Sequence, residues 1–321
     1  MCPAGFESVV SRAARNELAS FRLVSMSGGF VRGQTDASVR SLRTFPCATN
    51  VFQVIAITSR THGDRELSTM AMALGSIPRP GWLPKAGTVR LRVHEEGGFV
   101  TTSTPAPRRL EAAISKWSGL PISRASASVE VWVLRRAQVP EVFLTIKLTR
   151  GERPTRPGEL RPEVCAALAR VRNVSGAGLV LDPFAGTGAV GRALAAAGAK
   201  AVILNDLRRP RPAEPGKTLG KIRWVQGDFR NLDLELFSVD AIVTDPPWGH
   251  FDSEVDIDAV YLDLGRLASR WLKPGGCLVV LTAAQESVID QLFVQASLSE
   301  KERFPALISG RRALVLVASK Q

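Results

Sequence analysis

Residues 179–191 read LVLDPFAGTGAVG: a short apolar run that breaks at Asp182-Pro183 into a turn holding Gly186 and Gly188. An alanine-rich segment, residues 189–197, follows and is closed by Gly198. A hydrophobic run, a glycine turn and a helical segment in that order make a strand–loop–helix unit. Glycines at 186 and 188 let the backbone approach a ligand where a Cβ would stand in the way. Residues 186–191 also match the GxGxxG pattern of dinucleotide sites. Asp182 argues against a pyrophosphate here, because a carboxylate at the strand end repels phosphate and attracts a cation. No GK[ST] follows, so the turn is not a P-loop either.

The same unit repeats downstream. Apolar runs at 201–204, 222–225, 239–244, 277–281 and 313–318 read as strands, and 258–271 and 286–296 as helices. Strands alternating with helices predict a mostly parallel sheet in three layers, with ligands at the carboxyl ends of the strands. Upstream the pattern is mixed α+β. Strands are expected at 50–58, 88–94, 127–134 and 142–148, and helices at 65–74 and 108–118, the latter stopped by Gly119. The Pro-rich, polar residues 149–162 mark a domain boundary between the two patterns.

Three further segments fall where such a sheet places its ligands. Asn205-Asp206 ends the second strand, where an acid accepts from ribose hydroxyls. That physics is common to several nucleoside cofactors. Gln226-Gly227-Asp228-Phe229 ends the third, with Asp228 placed for an amino group and Phe229 for a flat ring. Thr244-Asp245-Pro246-Pro247-Trp248-Gly249 ends the fourth. Two prolines cannot continue a ladder and force a rigid, extended exit. Asp245 and the Pro246 carbonyl then offer acceptors at one point, with Trp248 beside them as a stacking plate. An exocyclic amine on a planar base needs such acceptors for its hydrogens, so that its lone pair faces a methyl donor.

The segments DPFAGTG (Asp182, Pro183, Phe184, Ala185, Gly186, Thr187, Gly188) and DPPW (Asp245, Pro246, Pro247, Trp248) resemble the DPFxGxG and [DN]PP[YFW] motifs of class I S-adenosylmethionine-dependent amino-methyltransferases. Residues 272–276, LKPGG, are similar to a turn common in that superfamily. Residues 160–168, a proline-opened helix, and 244–249, TDPPWG, resemble the THUMP-associated RNA guanosine N2-methyltransferases. Residues 88–150 are similar to the THUMP module, and 6–75 to the small ferredoxin-like domain that often precedes it. The resemblance implies a Rossmann-like class I methyltransferase domain with a seven-stranded, mostly parallel sheet over 156–321. A ferredoxin-like domain (1–80) and a THUMP-like RNA-binding domain (81–155) would precede it. It implies S-adenosyl-L-methionine as cofactor, held by residues 182–188, Asp206, Asp228 and Phe229. Asp245, Pro246, Pro247 and Trp248 would be catalytic, with N2 of a tRNA guanosine as target. Trp248 departs from the commoner tyrosine, which removes a phenol hydroxyl and reshapes the pocket.

Composition narrows the setting. The net charge is +12, and most of the excess lies in residues 1–160, upstream of the cofactor motifs. That placement points to a nucleic-acid partner, and the resemblance implies tRNA before rRNA or DNA. Cys2, Cys47, Cys165 and Cys277 are scattered without a CxxC pair, which suits a reducing cytoplasm and predicts no metal site. The acidic run Asp252, Glu254, Asp256 and Asp258 reads as a solvated face. His250 and the basic loop of Arg208, Arg209 and Arg211 are candidate substrate contacts, whereas Trp117 and Trp132 read as packing residues. No membrane span or signal peptide is expected, and a protein partner acting in trans is not indicated. Other classes remain open at this point: a DNA, rRNA or protein amino-methyltransferase with the same DPPW loop, or a non-catalytic RNA-binding relative.

Overall fold

The computed structural model describes residues 1–61, 65–101, 105–149, 158–208, 221–249, 256–294 and 296–321. In chain order the elements begin with α1 (Glu7–Glu17), the hairpin β1 (Arg22–Ser27) and β2 (Phe30–Gln34), and α2 (Val39–Arg43). Next come β3 (Phe52–Ser59), α3 (Arg65–Ala73), β4 (Val89–Glu95), β5 (Gly98–Val100), α4 (Ala106–Ser118), β6 (Val129–Arg135) and β7 (Glu141–Lys147). Then follow α5 (Pro162–Val171), β8 (Leu179–Asp182), α6 (Ala189–Ala196), β9 (Ala201–Asp206), β10 (Ile222–Gln226) and β11 (Val239–Thr244). The chain ends with α7 (Ile257–Trp271), β12 (Leu272–Thr282), α8 (Glu286–Val294), β13 (Leu298–Ile308) and β14 (Arg311–Lys320).

These elements form two compact units, one of Met1–Asp36, Pro46–Thr49 and Glu152–Gln321, the other of Ala37–Phe45 and Asn50–Gly151. The first unit holds a seven-stranded sheet in the order β10-β9-β8-β11-β12-β14-β13. From β10 to β12 the strands run parallel, and β14 is antiparallel to both its neighbours. Its central strands are apolar on both faces, as a sheet covered by helices requires: Val180, Leu181, Ile242, Val279 and Val280 are buried. The order reverses between β8 and β9 on one side and β11 on the other, which opens a crevice at their carboxyl ends.

β13 was not foreseen, and its composition explains why. It is an edge strand carrying Glu300, Lys301, Glu302, Arg303 and Pro305, residues that blunt an exposed edge rather than advertise a strand. Residues 272–276 also differ from expectation, since the LKPGG segment is continuous with β12. It accommodates a register irregularity against β11, with Gly275 at φ 75°.

The N-terminal segment belongs to this unit, which departs from the expected block 1–80. α1 buries Val9, Val10, Ala13 and Ala14, and the Arg12 guanidinium donates to the Val171 carbonyl at the end of α5 (2.8 Å). Phe6 meets Phe304 of β13 edge-on at 5.7 Å, and the Leu307 amide donates to the Ala4 carbonyl (3.0 Å). An edge strand is thereby covered by the start of the chain.

The second unit is a five-stranded sheet in the order β3-β7-β6-β4-β5, with β4 parallel to β6 and the other pairs antiparallel. β3 and α3 join β4–β7 in one body, so no cut falls at residue 80. Leu67 and Met70 of α3 and Leu110 and Ile114 of α4 pack on alternate residues of the sheet: Val129, Val131 and Val133 of β6, and Val142, Leu144 and Ile146 of β7. α4 ends where expected: Gly119 takes φ 70° and its amide donates to the Ser115 carbonyl (2.9 Å). Trp117 donates to the Ile77 carbonyl (2.9 Å), and Trp132 is buried, so both are packing residues.

Candidate active site

The carboxyl ends of β8, β9, β10 and β11 open on a cavity of about 1010 Å³. β8 delivers Asp182 beneath its floor, 1% exposed. The Thr244 hydroxyl donates to its Oδ1 from the end of β11 (2.7 Å), and the Phe184 amide from the turn (3.3 Å). Burial pushes this carboxyl up to about 7, against the lowering effect of those bonds. The turn is pinned to β9, where the Ala185 amide donates to the Asn205 carbonyl (2.9 Å) and the Gly186 amide to Asp206 Oδ2 (2.8 Å).

Gly186 and Gly188 both take positive φ, 52° and 78°. A Cβ at 188 would stand 2.7 Å from the Trp224 ring, so this glycine is fixed by packing as well as by conformation. A Cβ at 186 would meet nothing within 4 Å, which leaves its backbone open on the cavity. α6 starts directly after Gly188 and turns its free amides toward the same space.

Asp206 also accepts from the Arg208 amide through Oδ1 (3.0 Å). Asp228 caps a short 3-10 turn over Phe229–Asn231, accepting from the Arg230 amide (2.9 Å) and from its guanidinium (3.1 Å). Phe229 is buried, and its ring centroid lies 4.8 Å from that of Phe184. The two rings make an apolar wall between the loops after β8 and β10.

Asp245 follows β11 and is half-buried. Burial pushes its carboxyl up to about 7, with the nearby Asp182 adding to the rise. Pro246 is buried and Pro247 lines the cavity. Trp248 turns its indole N–H to Asp245 Oδ1 (2.9 Å), a contact that sequence reading, with Trp248 as a stacking plate, did not foresee. Of the sequence-selected residues, Pro183, Phe184, Ala185, Gly186, Thr187, Asp206, Asp228, Phe229, Asp245 and Pro247 line the cavity. Asp182, Gly188, Pro246 and Trp248 are not among its lining residues and support those that are.

Several wall residues were given no site role by the sequence: Glu159 went unnoticed, Asn205 was read only as the neighbour of Asp206, and Asp256 as part of a solvated face. Glu159 precedes α5 and accepts from the Thr187 hydroxyl (3.0 Å) and the Arg192 guanidinium (2.9 Å), tying the chain ahead of the domain to the glycine turn. Asn205 donates through Nδ2 to the Val225 and Gly227 carbonyls (both 3.0 Å), and its buried Oδ1 has no hydrogen-bond partner. Asp256 caps α7 by accepting from the Ala259 amide (3.0 Å) and reaches the rim. His250, Asp252, Glu254, Arg209 and Arg211 lie outside the described residues. Among the described residues no group of three or more His, Cys, Asp or Glu is placed to hold a metal ion, and no helix is long and apolar enough to cross a membrane.

The wall thus carries five carboxylates (Glu159, Asp206, Asp228, Asp245, Asp256) against Arg208 and Arg230. It suits a cationic ligand with a flat ring and repels a pyrophosphate. Residues 210–313 match the family described as UPF0020, RMKL-like, methyltransferase domain. The chain is 31% identical over 232 residues to a tRNA (guanine(6)-N2)-methyltransferase of Thermus thermophilus, covering 67% of this chain and 68% of that one. The crystal structure of TrmN from Thermus thermophilus superposes with a TM-score of 0.77 at 24% identity, covering 100% of this chain and 98% of that one. A possible methylase of Clostridium difficile 630 follows, with a TM-score of 0.69 at 16% identity and coverage of 99% and 96%. With the glycine turn, the DPPW exit and the sheet order all in place, the chain belongs to the tRNA (guanine-N2)-methyltransferase family.

Proposed function

We propose that this protein transfers a methyl group from S-adenosyl-L-methionine to the exocyclic N2 of a guanosine in tRNA. The observation that carries the reading is Asp245, a half-buried carboxylate on the lip of an acidic cavity beside a glycine turn. The cavity fits the cofactor. Its acidic wall suits the ammonium and sulfonium charges, open backbone at Gly186 admits close approach, and the unpartnered Asn205 Oδ1 leaves an acceptor in the wall. On this reading the turn 182–188 holds the amino-acid portion, Asp206 the ribose, and Asp228 with Phe229 and Phe184 the adenine.

When bound, the cofactor supplies a methyl group on a positively charged sulfur, which leaves as a neutral thioether. The chain's own part is orientation and proton handling. Asp245, at the cavity wall, accepts an amine hydrogen, which turns the nitrogen lone pair toward the donor. Asp245 then takes the proton that the methylated nitrogen sheds, a role suited to a carboxyl raised to about 7. Transfer from labelled S-adenosylmethionine to unmodified tRNA transcripts, with the product nucleoside identified by mass, tests the reading. N2-methylguanosine is expected, and position 6, where the Thermus relative acts by name, is the first to map. N6-methyladenosine, or label in DNA or protein, would overturn the substrate assignment.

The five-stranded unit is the proposed THUMP-like RNA-docking part, with a hollow of about 690 Å³ that supports this role. Arg90, Arg92, Arg108 and Arg124 line it around Phe99, which is 52% exposed with the Arg92 guanidinium 4.4 Å from its centroid. An exposed ring under a guanidinium suits a stacked base, and the remaining arginines suit phosphates. Reversing two charges, Arg92→Glu with Arg108→Glu, is expected to raise KM for tRNA on the order of 10–100-fold while kcat is retained. The salt dependence of binding should flatten by about one unit of slope per lost contact. An unchanged KM would remove this hollow from the RNA path.

A further inference from the structure

We propose that Trp248 is the positioning residue of Asp245: its indole N–H fixes one carboxylate oxygen, Oδ1, so that Oδ2 faces the target amine. The inference rests on the reading of Asp245 as the amine acceptor. A carboxylate can exchange its two oxygens by rotating about its terminal bond, and both are acceptors. A hydrogen bond of 2.9 Å to one of them opposes that rotation. The geometry is built into the chain. Pro246 and Pro247 each fix φ, and a residue before proline is held extended, so Trp248 returns in a rigid turn to the residue three before it. Among the described residues, Trp248 donates the hydrogen bond found at the Asp245 carboxyl. The DPPW tryptophan thus supplies a donor at this point through its ring nitrogen, which a phenylalanine lacks.

The same bond governs when Asp245 is charged. Asp182, at the end of β8, disfavours the carboxylate by repulsion, as does burial. From α5 the buried Cys165 thiol faces it, and from α7 the buried Tyr261 phenol; both are pushed upward and are neutral near pH 7. The cavity wall adds the carboxylates of Glu159, Asp206, Asp228 and Asp256 and the cations Arg208 and Arg230. Against burial and the Asp182 charge stands the indole N–H, which favours the ionised form. Asp245 must be ionised to take the proton that the methylated nitrogen sheds, so activity is lost as pH falls through its pKa. Removing the N–H raises that pKa, and the acid limb moves to higher pH.

The test is kcat against pH for the wild-type protein and Trp248→Phe, which keeps an aromatic face and removes the donor. The expected result is an acid limb displaced upward by about 0.5–1 pH unit, with kcat recovering at alkaline pH to within several-fold of wild type and KM for RNA nearly constant. An active variant whose limb does not move would overturn the proposal and leave Trp248 as a plate. Indole N–H resonances of the protein without substrate give a second readout that survives a poorly folding variant. One of the six tryptophans should shift with an apparent pKa near 7 and stop doing so in Asp245→Asn. No indole that titrates in this way would also overturn it. Absence of wild-type transfer to any guanosine would instead count against the proposed function, because the indole titration does not depend on substrate.

Discussion

Asp245→Ala is expected to lower kcat for tRNA methylation by about three orders of magnitude while leaving the affinity for S-adenosylmethionine within a few-fold. On the proposed reading the substitution removes the acceptor that orients the amine and the group that takes its proton, both of which act only when the substrate reacts. The elements that hold the glycine turn, which the proposed function assigns to the cofactor, stay in place, since Asp182 is anchored by Thr244 and Phe184, and Gly186 by Asp206. Asp245 is not part of that network; its carboxyl accepts from the Trp248 indole instead. Single-turnover transfer and calorimetric titration with the cofactor separate the two quantities. A fall in kcat of less than ten-fold would sink Asp245 as the acceptor, whereas a loss of cofactor binding would place it in the cofactor site.

Gly265→Ala should produce a large loss of stability in the methyltransferase unit. Gly265 lies in α7 where this helix meets α8, and a Cβ there would stand 2.0 Å from the Leu292 carbonyl oxygen and 2.7 Å from its carbon. Both are backbone atoms, so no rotamer change relieves the overlap and the helices must separate. Tyr261, Leu264, Ile289 and Leu292 are fully buried around this crossing, and the shift would loosen all of them. Alanine's better helix propensity recovers about 1 kcal/mol, against an overpacking cost of about 3 kcal/mol or more. A net loss of about 2–3 kcal/mol is therefore expected in urea unfolding. Gly191→Ala is the informative comparison. Its Cβ would meet the Leu204 Cδ2 at 2.1 Å, a side-chain end that can turn aside, so the loss should be smaller. Equal midpoints for wild type and Gly265→Ala would show that the helix contact yields more easily than its geometry implies. Because Asp256 caps α7 and lines the cavity, the same change should weaken cofactor binding.

The parts of this protein that sequence determined are those whose cause is local. The glycine turn at 186–188 needs positive φ and bare backbone, and only glycine supplies both at no steric cost. The DPPW exit needs two prolines in a row. The period-two and helical patterns fixed β8–β11, the second half of β12, β14, α6 and α7 to within a few residues, and alternation of the two made a parallel sheet the expected outcome. The fold of the catalytic half and the cavity's position at its strand ends followed from these alone.

Tertiary structure decided what depends on pairing between distant segments. The polar edge strand β13 is a strand because β14 offers it a ladder, and the N-terminal segment joins the methyltransferase unit because Ala4 and Phe6 cover that edge. β3 joins the five-stranded sheet by pairing with β7, in register at Phe52 and Lys147, across the boundary expected at 80. Glu159, Asn205 and the indole of Trp248 entered the site through hydrogen bonds whose partners no local pattern announces. Periodicity reports which face of an element is apolar. Which other element covers that face, and which polar group meets which across a cavity, is set by the lowest-energy satisfaction of all such faces and groups at once.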